Sequence, residues 1–285
     1  MRLIATDLDG TLLNSKSEIS RENKLALLKA QEKGVKIVLA TGRMFNDAKN
    51  IFKDIDLDIP YIISSNGSMI HNYSGEEIHS FPLDKDVLKK VLPFLQRNNY
   101  YYALFGATKL FEPKDSNERI IADFYKSKIK KDIPEKELDD LLNFFNSEQK
   151  SEIHKFDSLD EFFKLNEDVF NLVSVSFDID KLNEGKRAFR DIPGISIFSS
   201  NTNNFEIINE NCSKGNALEI VAESLGVSLK EIMTIGDNFN DVSMLKKSKI
   251  SVAMGNAHSD IKEIASFVTL DNNNHGVAHA IDYHL

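Results

Sequence analysis

Asp7 and Asp9 stand two positions apart where the apolar run LIAT ends, and Gly10-Thr11 breaks the chain immediately after them. Alternate residues of a strand face the same way, so a strand continuing through both would aim two carboxylates in one direction. A chain that has already turned preserves only their closeness. In either case, two carboxylates held together repel unless a cation lies between them or one keeps a proton. Asp237 and Asp241, in the stretch GDNFND, follow another apolar run late in the chain. A single aspartate at a strand end is often a turn residue that bonds the backbone. Four of them gathered at one edge suit Mg²⁺ instead, a hard cation that takes oxygen ligands and keeps several waters.

The counter-charges indicate which anion such a metal would serve. Lys214 opens a helical pattern whose apolar face runs through Ala217, Leu218, Val221 and Leu225. Its ammonium and the free N–H groups at that helix start can face one anion. Thr41 and Gly42, after the run VKIVLA, add a hydroxyl and a residue that lets backbone approach closely. This combination points to phosphate.

The elements that must position these residues follow an alternating order. After the first short strand, Ser20 caps a helix in which Leu25, Leu28 and Ala30 share a face, and Gly34 ends it. VKIVLATGR is a continuous apolar run of the kind buried on both faces of a parallel sheet. A polar helix through Ile55 and a third run, IPYIISSNG, complete a β-α-β-α-β order. The end of the chain repeats the rhythm, with a helix over 214–225, strand IMTIGD, a helix from about Asn240, strand ISVAMG, a helix from about Ser259 and strand FVTL. A right-handed parallel sheet accommodates both halves. Ligands of such sheets sit outside the carboxyl ends of the strands, so the polar clusters at Asp7 and Asp9, Thr41 to Arg43, Ser65 to Gly67, and Asp237 to Asp241 should converge.

Between the halves the texture changes. Aromatic and alternating strands (YYYALFG, FNLVSVSFD, ISIFSS, NFEII) mix with charged helices near 84–97, 117–128, 135–147 and 181–190. The fold class is therefore read as α/β: a Rossmann-like parallel-sheet core over 1–83 and 210–285, with an inserted α+β domain over 84–209. Tyr100, Tyr101, Tyr102 and Phe105 are read as sheet packing.

Formal charge is −9 and no basic tract is concentrated anywhere, which gives the global field no pull on nucleic acid or anionic membranes. The single cysteine, Cys212, is read as a packing residue and fits a reducing compartment. No apolar stretch approaches the roughly 18 residues of a membrane span. A soluble cytoplasmic protein is expected, acting as a monomer or weak homo-oligomer. The seven histidines show no paired metal spacing.

DLDGTLL, TGR, SKGNAL and GDNFND, in this order, resemble the four motifs of the haloacid dehalogenase superfamily. The long insertion resembles its type IIB cap, as in Cof-like sugar-phosphate phosphatases. The resemblance implies that Asp7 is the nucleophile that forms an aspartyl-phosphate, and that Asp9 protonates the leaving oxygen and then activates water. It implies that Thr41, Gly42, Lys214 and Asn240 hold the phosphoryl group, that Asp7, Asp237 and the Asp9 carbonyl bind Mg²⁺, and that Asp241 orients Lys214 or metal-bound water. Asn66-Gly67 resembles the NGA element of Cof-like members, with Ser68 where Ala is commoner, and is placed beside the leaving group. Arg43 is read as meeting substrate or pairing with a carboxylate, with substrate preferred. An acid at position 9 argues against the ATPase members, which carry Thr there, and against dehalogenases.

The expected activity is Mg²⁺-dependent hydrolysis of small phosphorylated metabolites, sugar phosphates first. A phosphomutase of the phosphomannomutase type is the enzymatic alternative, and a metabolite-binding protein on a retained fold the non-enzymatic one.

Overall fold

Strands β1 (Leu3–Thr6), β2 (Lys36–Ala40) and β3 (Tyr61–Ser64) alternate with helices α1 (Arg21–Glu32) and α2 (Phe45–Ile51) in a computed structural model that describes residues 1–53, 55–147, 152–199 and 201–285. A hairpin of β4 (Met69–Asn72) and β5 (Glu77–Ser80) follows. The insertion runs α3 (Lys85–Arg97), β6 (Tyr101–Phe105), β7 (Lys109–Pro113), α4 (Ser116–Lys128), α5 (Glu135–Ser147), β8 (Glu152–Phe156), α6 (Leu159–Leu165), β9 (Asn171–Val175), α7 (Ile179–Phe189), β10 (Ile195–Phe198) and β11 (Asn204–Asn209). The chain then returns through α8 (Lys214–Ser224), β12 (Ile232–Gly236), α9 (Val242–Leu245), β13 (Ile250–Ala253), α10 (Ser259–Ile264), β14 (Phe267–Val268) and α11 (Gly276–His284).

The chain divides into two units, Met1–Phe81 with Cys212–Leu285, and Pro82–Asn211. The first is an eight-stranded sheet in the order β14-β13-β12-β1-β2-β3-β4-β5. β1 lies at its centre, parallel to both β2 and β12. Because side chains alternate, each central strand feeds two cores. Ile37 and Leu39 pack with Leu27 and Ala30 of α1 and Ile281 of α11, while Val38 and Ala40 pack with Leu218 and Val221 of α8. Burial on both faces is what makes these strands read as unbroken apolar runs.

Ser20 caps α1 by accepting a hydrogen bond from Asn23 N–H, and Gly34, at φ +81°, takes the chain out of it. The buried face differs from the one expected. Leu25 is 53% exposed, whereas Ala26, Leu27 and Ala30 are buried beside Asn23. Asn23 faces inward because its amide donates to Leu12 O and accepts from Ala278 N–H, tying α1 to the loop after β1 and to α11. Other departures are local. α2 stops at Ile51, short of Ile55, with Asp54 outside the described residues. The GDNFND stretch makes a 3₁₀ turn over Phe239–Asp241 before α9 begins. β4 and β5 join the sheet antiparallel, an extension the parallel pattern does not anticipate.

The second unit is a six-stranded sheet, β10-β11-β9-β6-β7-β8, antiparallel except for the β7–β8 pair. Tyr102 and Leu104 pack under Leu88, Val91 and Leu92 of α3, while Tyr101 and Ala103 pack under Ile120 and Phe124 of α4. All three consecutive tyrosines are buried, so the aromatic run is sheet packing. β7, β8 and α6 are additional elements, and Ser200, at the end of the expected strand ISIFSS, lies outside the described residues. Among the described residues, no helix is long and apolar enough to cross a membrane.

Candidate active site

β1 ends at Thr6, and the chain turns at once. Asp7 still donates its backbone N–H to Ile235 O of β12, which fixes its α-carbon at the carboxyl edge of the two central strands. Asp7 and Asp9 consequently diverge. Asp7 is buried and engages Lys214, whereas Asp9 is exposed and engages Arg43.

Lys214 is the first residue of α8, placed there by Ser213, whose hydroxyl accepts from Asn216 N–H as the N-cap. Its side chain is wholly buried, an unusual state for an ammonium unless it is paired. Nζ lies 2.7 Å from Asp7 Oδ1 and 2.6 Å from Asp241 Oδ1. Asp241 is equally buried, and its second oxygen accepts from the backbone N–H groups of Asp237 and Asn238 at 2.9 and 3.0 Å. That carboxylate closes its own 3₁₀ turn and at the same time anchors the lysine. Gly215 lets α8 sit this close to the turn, because a Cβ there would fall 2.4 Å from Ser243 O.

Asp237 completes the group. Thr11 Oγ1 donates to its Oδ1 at 2.9 Å, and Asn256 Nδ2 reaches its Oδ2 at 3.4 Å and Gly10 O at 2.8 Å. Asp7, Asp237 and Asp241 each offer an oxygen within 4.8 Å of the others. Burial, aided by the charges of Asp241 and Asp237 and opposed by Lys214, pushes Asp7 up to about 8. Burial and the Asp241 charge push Asp237 up to about 6. Burial presses the Lys214 ammonium downward, but Asp241 and Asp7 outweigh it and the net direction is up. With all three carboxyls ionised, the group would hold three carboxylates against one ammonium, an excess of two negative charges. Oxygen donors with that excess fit a hard divalent cation such as Mg²⁺, whose charge cancels it.

The remaining residues of the sequence reading fall around this group. Thr41 is buried at the end of β2, and its hydroxyl accepts from Arg43 N–H at 3.1 Å. Arg43, read toward substrate, instead grips Asp9 through Nε and a terminal nitrogen at 2.7 and 2.6 Å. The early turn at Asp7 swings Asp9 out to where that guanidinium can meet it. Asn66 accepts from Asn240 Nδ2 at 2.9 Å and lies over Gly42. Gly67, at φ +100°, presses its bare α-carbon against the Ser213 carbonyl. The Asp9 carboxylate lies outside the cluster of candidate metal-ligand atoms. Cys212 is buried on Ser68 Oγ at 3.0 Å, and burial pushes its thiol up to about 11. The sequence reading gives Thr11 no role beyond the break in the chain and does not single out Asn256. Thr11 had a signal in its place beside Gly10, while Asn256 had none beyond following Gly255.

Known proteins resemble this one along the whole chain. The family profile of haloacid dehalogenase-like hydrolases matches residues 4–281. Phosphatase YwpJ of Bacillus subtilis is 37% identical, covering 99% of both chains. The 5-amino-6-(5-phospho-D-ribitylamino)uracil phosphatase YwtE of the same organism is 34% identical over 99% of this chain and 97% of its own. A solved haloacid dehalogenase-like hydrolase from B. subtilis, 36% identical, superposes over 100% of both chains with a TM-score of 0.80. The subclass IIB sugar phosphatase BT4131, 22% identical, shares the fold with a TM-score of 0.76 over 99% of this chain and 98% of its own. A match spanning both halves of the sheet and the insertion between them, around a buried aspartate–lysine–aspartate group, makes the chain a member of the haloacid dehalogenase-like hydrolases, and a phosphatase.

Proposed function

We propose that the protein hydrolyses small phosphorylated metabolites, sugar and sugar-alcohol phosphates foremost, through a phosphoryl group carried on Asp7, with Mg²⁺ bound. The observation that carries this reading is the buried Lys214 ammonium between Asp7 and Asp241. Lys214 ties down Asp7 Oδ1, so Oδ2 is the oxygen that reaches phosphorus. As the Oδ2–P bond forms, the bond to the leaving oxygen breaks, and that oxygen takes a proton from Asp9. Water then attacks the phosphorus of the aspartyl-phosphate while Asp9 takes the water's proton, releasing phosphate and restoring the carboxylate. An acid whose two oxygens both sit on a guanidinium has no proton to give, so the Arg43 fork must open before Asp9 acts.

Lys214 meets charge that develops on the phosphoryl oxygens, and Thr41, Gly42 and Asn240 are assigned to hold those oxygens. Asp7, Asp237 and the Asp9 carbonyl are assigned to Mg²⁺, which supplies charge neutralisation to an anionic nucleophile approaching an anionic substrate. Specificity is assigned to the inserted unit, and the protein is assigned to the cytoplasm as a monomer or weak homo-oligomer. The substrate class draws support from the relative that acts on a phosphoribityl compound, since ribityl phosphate is a sugar-alcohol phosphate.

The test is phosphate release from a panel of sugar, sugar-alcohol, nucleotide and cofactor-precursor phosphates, with Mg²⁺ or with chelator, for the wild type and Asp7→Asn. Release that requires Mg²⁺ and disappears in Asp7→Asn is expected. Hydrolysis surviving in a clean Asp7→Asn preparation would overturn the covalent route, and a preference for nucleotides would overturn the substrate class.

A further inference from the structure

Ser65, Asn66 and Gly67 follow one another with φ of +48°, +58° and +100°. Only glycine takes this left-handed region freely, so two non-glycine residues there in succession persist only where the surroundings over-determine them. The surroundings are specific. Ser65 N–H donates to Arg43 O at 2.9 Å, Asn66 N–H to Thr41 O at 3.0 Å, and Ser68 N–H returns to Ser65 O at 3.1 Å. Gly67 is locked from the other side, since a Cβ on it would fall 2.3 Å from Ser213 O. The turn is thereby fastened to the end of β2 and to the start of α8, the two segments that carry Thr41 and Lys214.

This conformation sends the Asn66 side chain back across Gly42. A Cβ on Gly42 would come 3.1 Å from Asn66 Oδ1, so the glycine leaves the room that the amide fills. The same Oδ1 accepts from Asn240 Nδ2 at 2.9 Å. Asn240 is exposed in the turn that ends at Asp241, and among the described residues this is its side chain's only hydrogen bond. Without it, an exposed asparagine on a turn samples several rotamers, and an amide offered to a ligand would have to be ordered at the moment of binding.

We infer that Asn66 is a positioning residue: it fixes the amide of Asn240 so that the second N–H of Asn240 Nδ2 is presented to the phosphoryl group of the substrate. The inference rests on the phosphatase reading for its ligand, but its geometry is that of the strained turn. The third and fourth polar clusters are thus coupled through one hydrogen bond. The left-handed backbone at 65–67 is what lets a residue at the end of β3 reach a turn at the end of β12.

The test is a double-mutant cycle of Asn66→Gly, Asn240→Ala and the pair, read as the Kd for inorganic phosphate by calorimetry in Mg²⁺, with KM for a phosphomonoester alongside. Glycine accepts the positive φ, so Asn66→Gly deletes the side chain and keeps the turn. The expected loss of phosphate affinity is about 2- to 12-fold, the equivalent of one neutral hydrogen bond, with the melting temperature unchanged. In the Asn240→Ala background the same substitution should change Kd by less than about twofold. Full additivity, or an unchanged Kd in Asn66→Gly, overturns the assignment even where turnover is normal. Coupled phosphate binding in a protein that turns nothing over upholds it and refutes the hydrolytic reading instead. If Asn66→Gly fails to fold, Gly42→Ala replaces it in the cycle, because its methyl would lie 3.1 Å from Asn66 Oδ1 and push that oxygen from its present place, and additivity with Asn240→Ala is again the overturning result.

Discussion

Arg43 holds Asp9 by two parallel hydrogen bonds, Nε to Oδ2 at 2.7 Å and a terminal nitrogen to Oδ1 at 2.6 Å. Bidentate guanidinium–carboxylate pairs of this kind combine strength with a fixed plane. Asp9 is therefore parked with both oxygens in use, and the proton transfers proposed for it require its release. Asp9→Asn should lower kcat for alkyl phosphates by about 10²- to 10⁴-fold, the usual value of a general acid–base. A nitrophenyl leaving group needs no proton, so the same variant should still phosphorylate Asp7 from nitrophenyl phosphate and then stall. Rapid-mixing kinetics should show a burst approaching one nitrophenolate per protein; a linear trace without a burst places Asp9 before the covalent step only.

Lys214 is the wholly buried cation between two buried carboxylates. Lys214→Met fills the space and leaves both carboxylates without their cation, which costs about 3–5 kcal/mol when a buried pair is broken. Urea unfolding at neutral pH in chelator measures the loss. Protonation relieves an orphaned carboxylate, so the deficit should shrink as pH falls; a deficit that is constant with pH would show that packing, not charge, is responsible.

The pH dependence of the metal-free protein follows from Asp7 and Asp237, which burial holds up to about 8 and about 6. A carboxyl whose pKa is higher in the fold than in the unfolded chain binds more protons when folded. Its contribution is complete below the unfolded value, near 3.8, and is lost as pH rises through the folded value. Through these two groups, the melting temperature in chelator should decline from about pH 4 toward about pH 8. At the proposed site Mg²⁺ would bind the deprotonated carboxylates, so its stabilising shift should be larger at about pH 8 than at about pH 5. Equal shifts at both pH values would remove these two residues from the metal site.

Asn256 steadies Asp237 and the Gly10 carbonyl together, and is itself held by Asn272 N–H at 3.0 Å. Outer groups that orient ligating carboxylates typically set metal affinity by about 10- to 100-fold. Asn256→Ala should weaken Mg²⁺ binding in that range while saturating Mg²⁺ restores most of the turnover. Calorimetric titration with Mg²⁺ checks the first point directly, and unchanged affinity would reduce Asn256 to a brace for the loop after β1.

What the sequence made legible divides by the range of the interaction. Asp7, Lys214 and Asp241 could be gathered from pattern alone, because each sits at the end of a periodic segment and a parallel sheet brings such ends to one edge. Pairing of Arg43 with a carboxylate was one of two readings, but that the carboxylate is Asp9 depends on β1 stopping at Thr6, one residue before the first aspartate. Thr11 and Asn256 are ordinary loop residues, and only the folded turn shows that both reach Asp237. The buried face of α1 was misjudged at Leu25 because it is set by contact with α11 near the far end of the chain, as the Asn23–Ala278 hydrogen bond shows. The β4–β5 hairpin escaped notice because its strands carry histidine and glutamate where parallel strands carry aliphatics.

Ser68 is the point at which the first unit keeps hold of both ends of its interruption. Its carbonyl accepts from Phe81 N–H at 2.8 Å, where the chain departs, and its hydroxyl meets Cys212 Sγ at 3.0 Å, where the chain returns. Exit and re-entry are thus clamped to one residue, and the long excursion between them is a loop already closed. Loop closure grows only slowly more costly with loop length, so a clamp of this kind makes the size of the excursion nearly immaterial to the sheet that hosts it. The core is in this sense a socket: the strand pairings that set the register of its eight strands all lie outside residues 82–211.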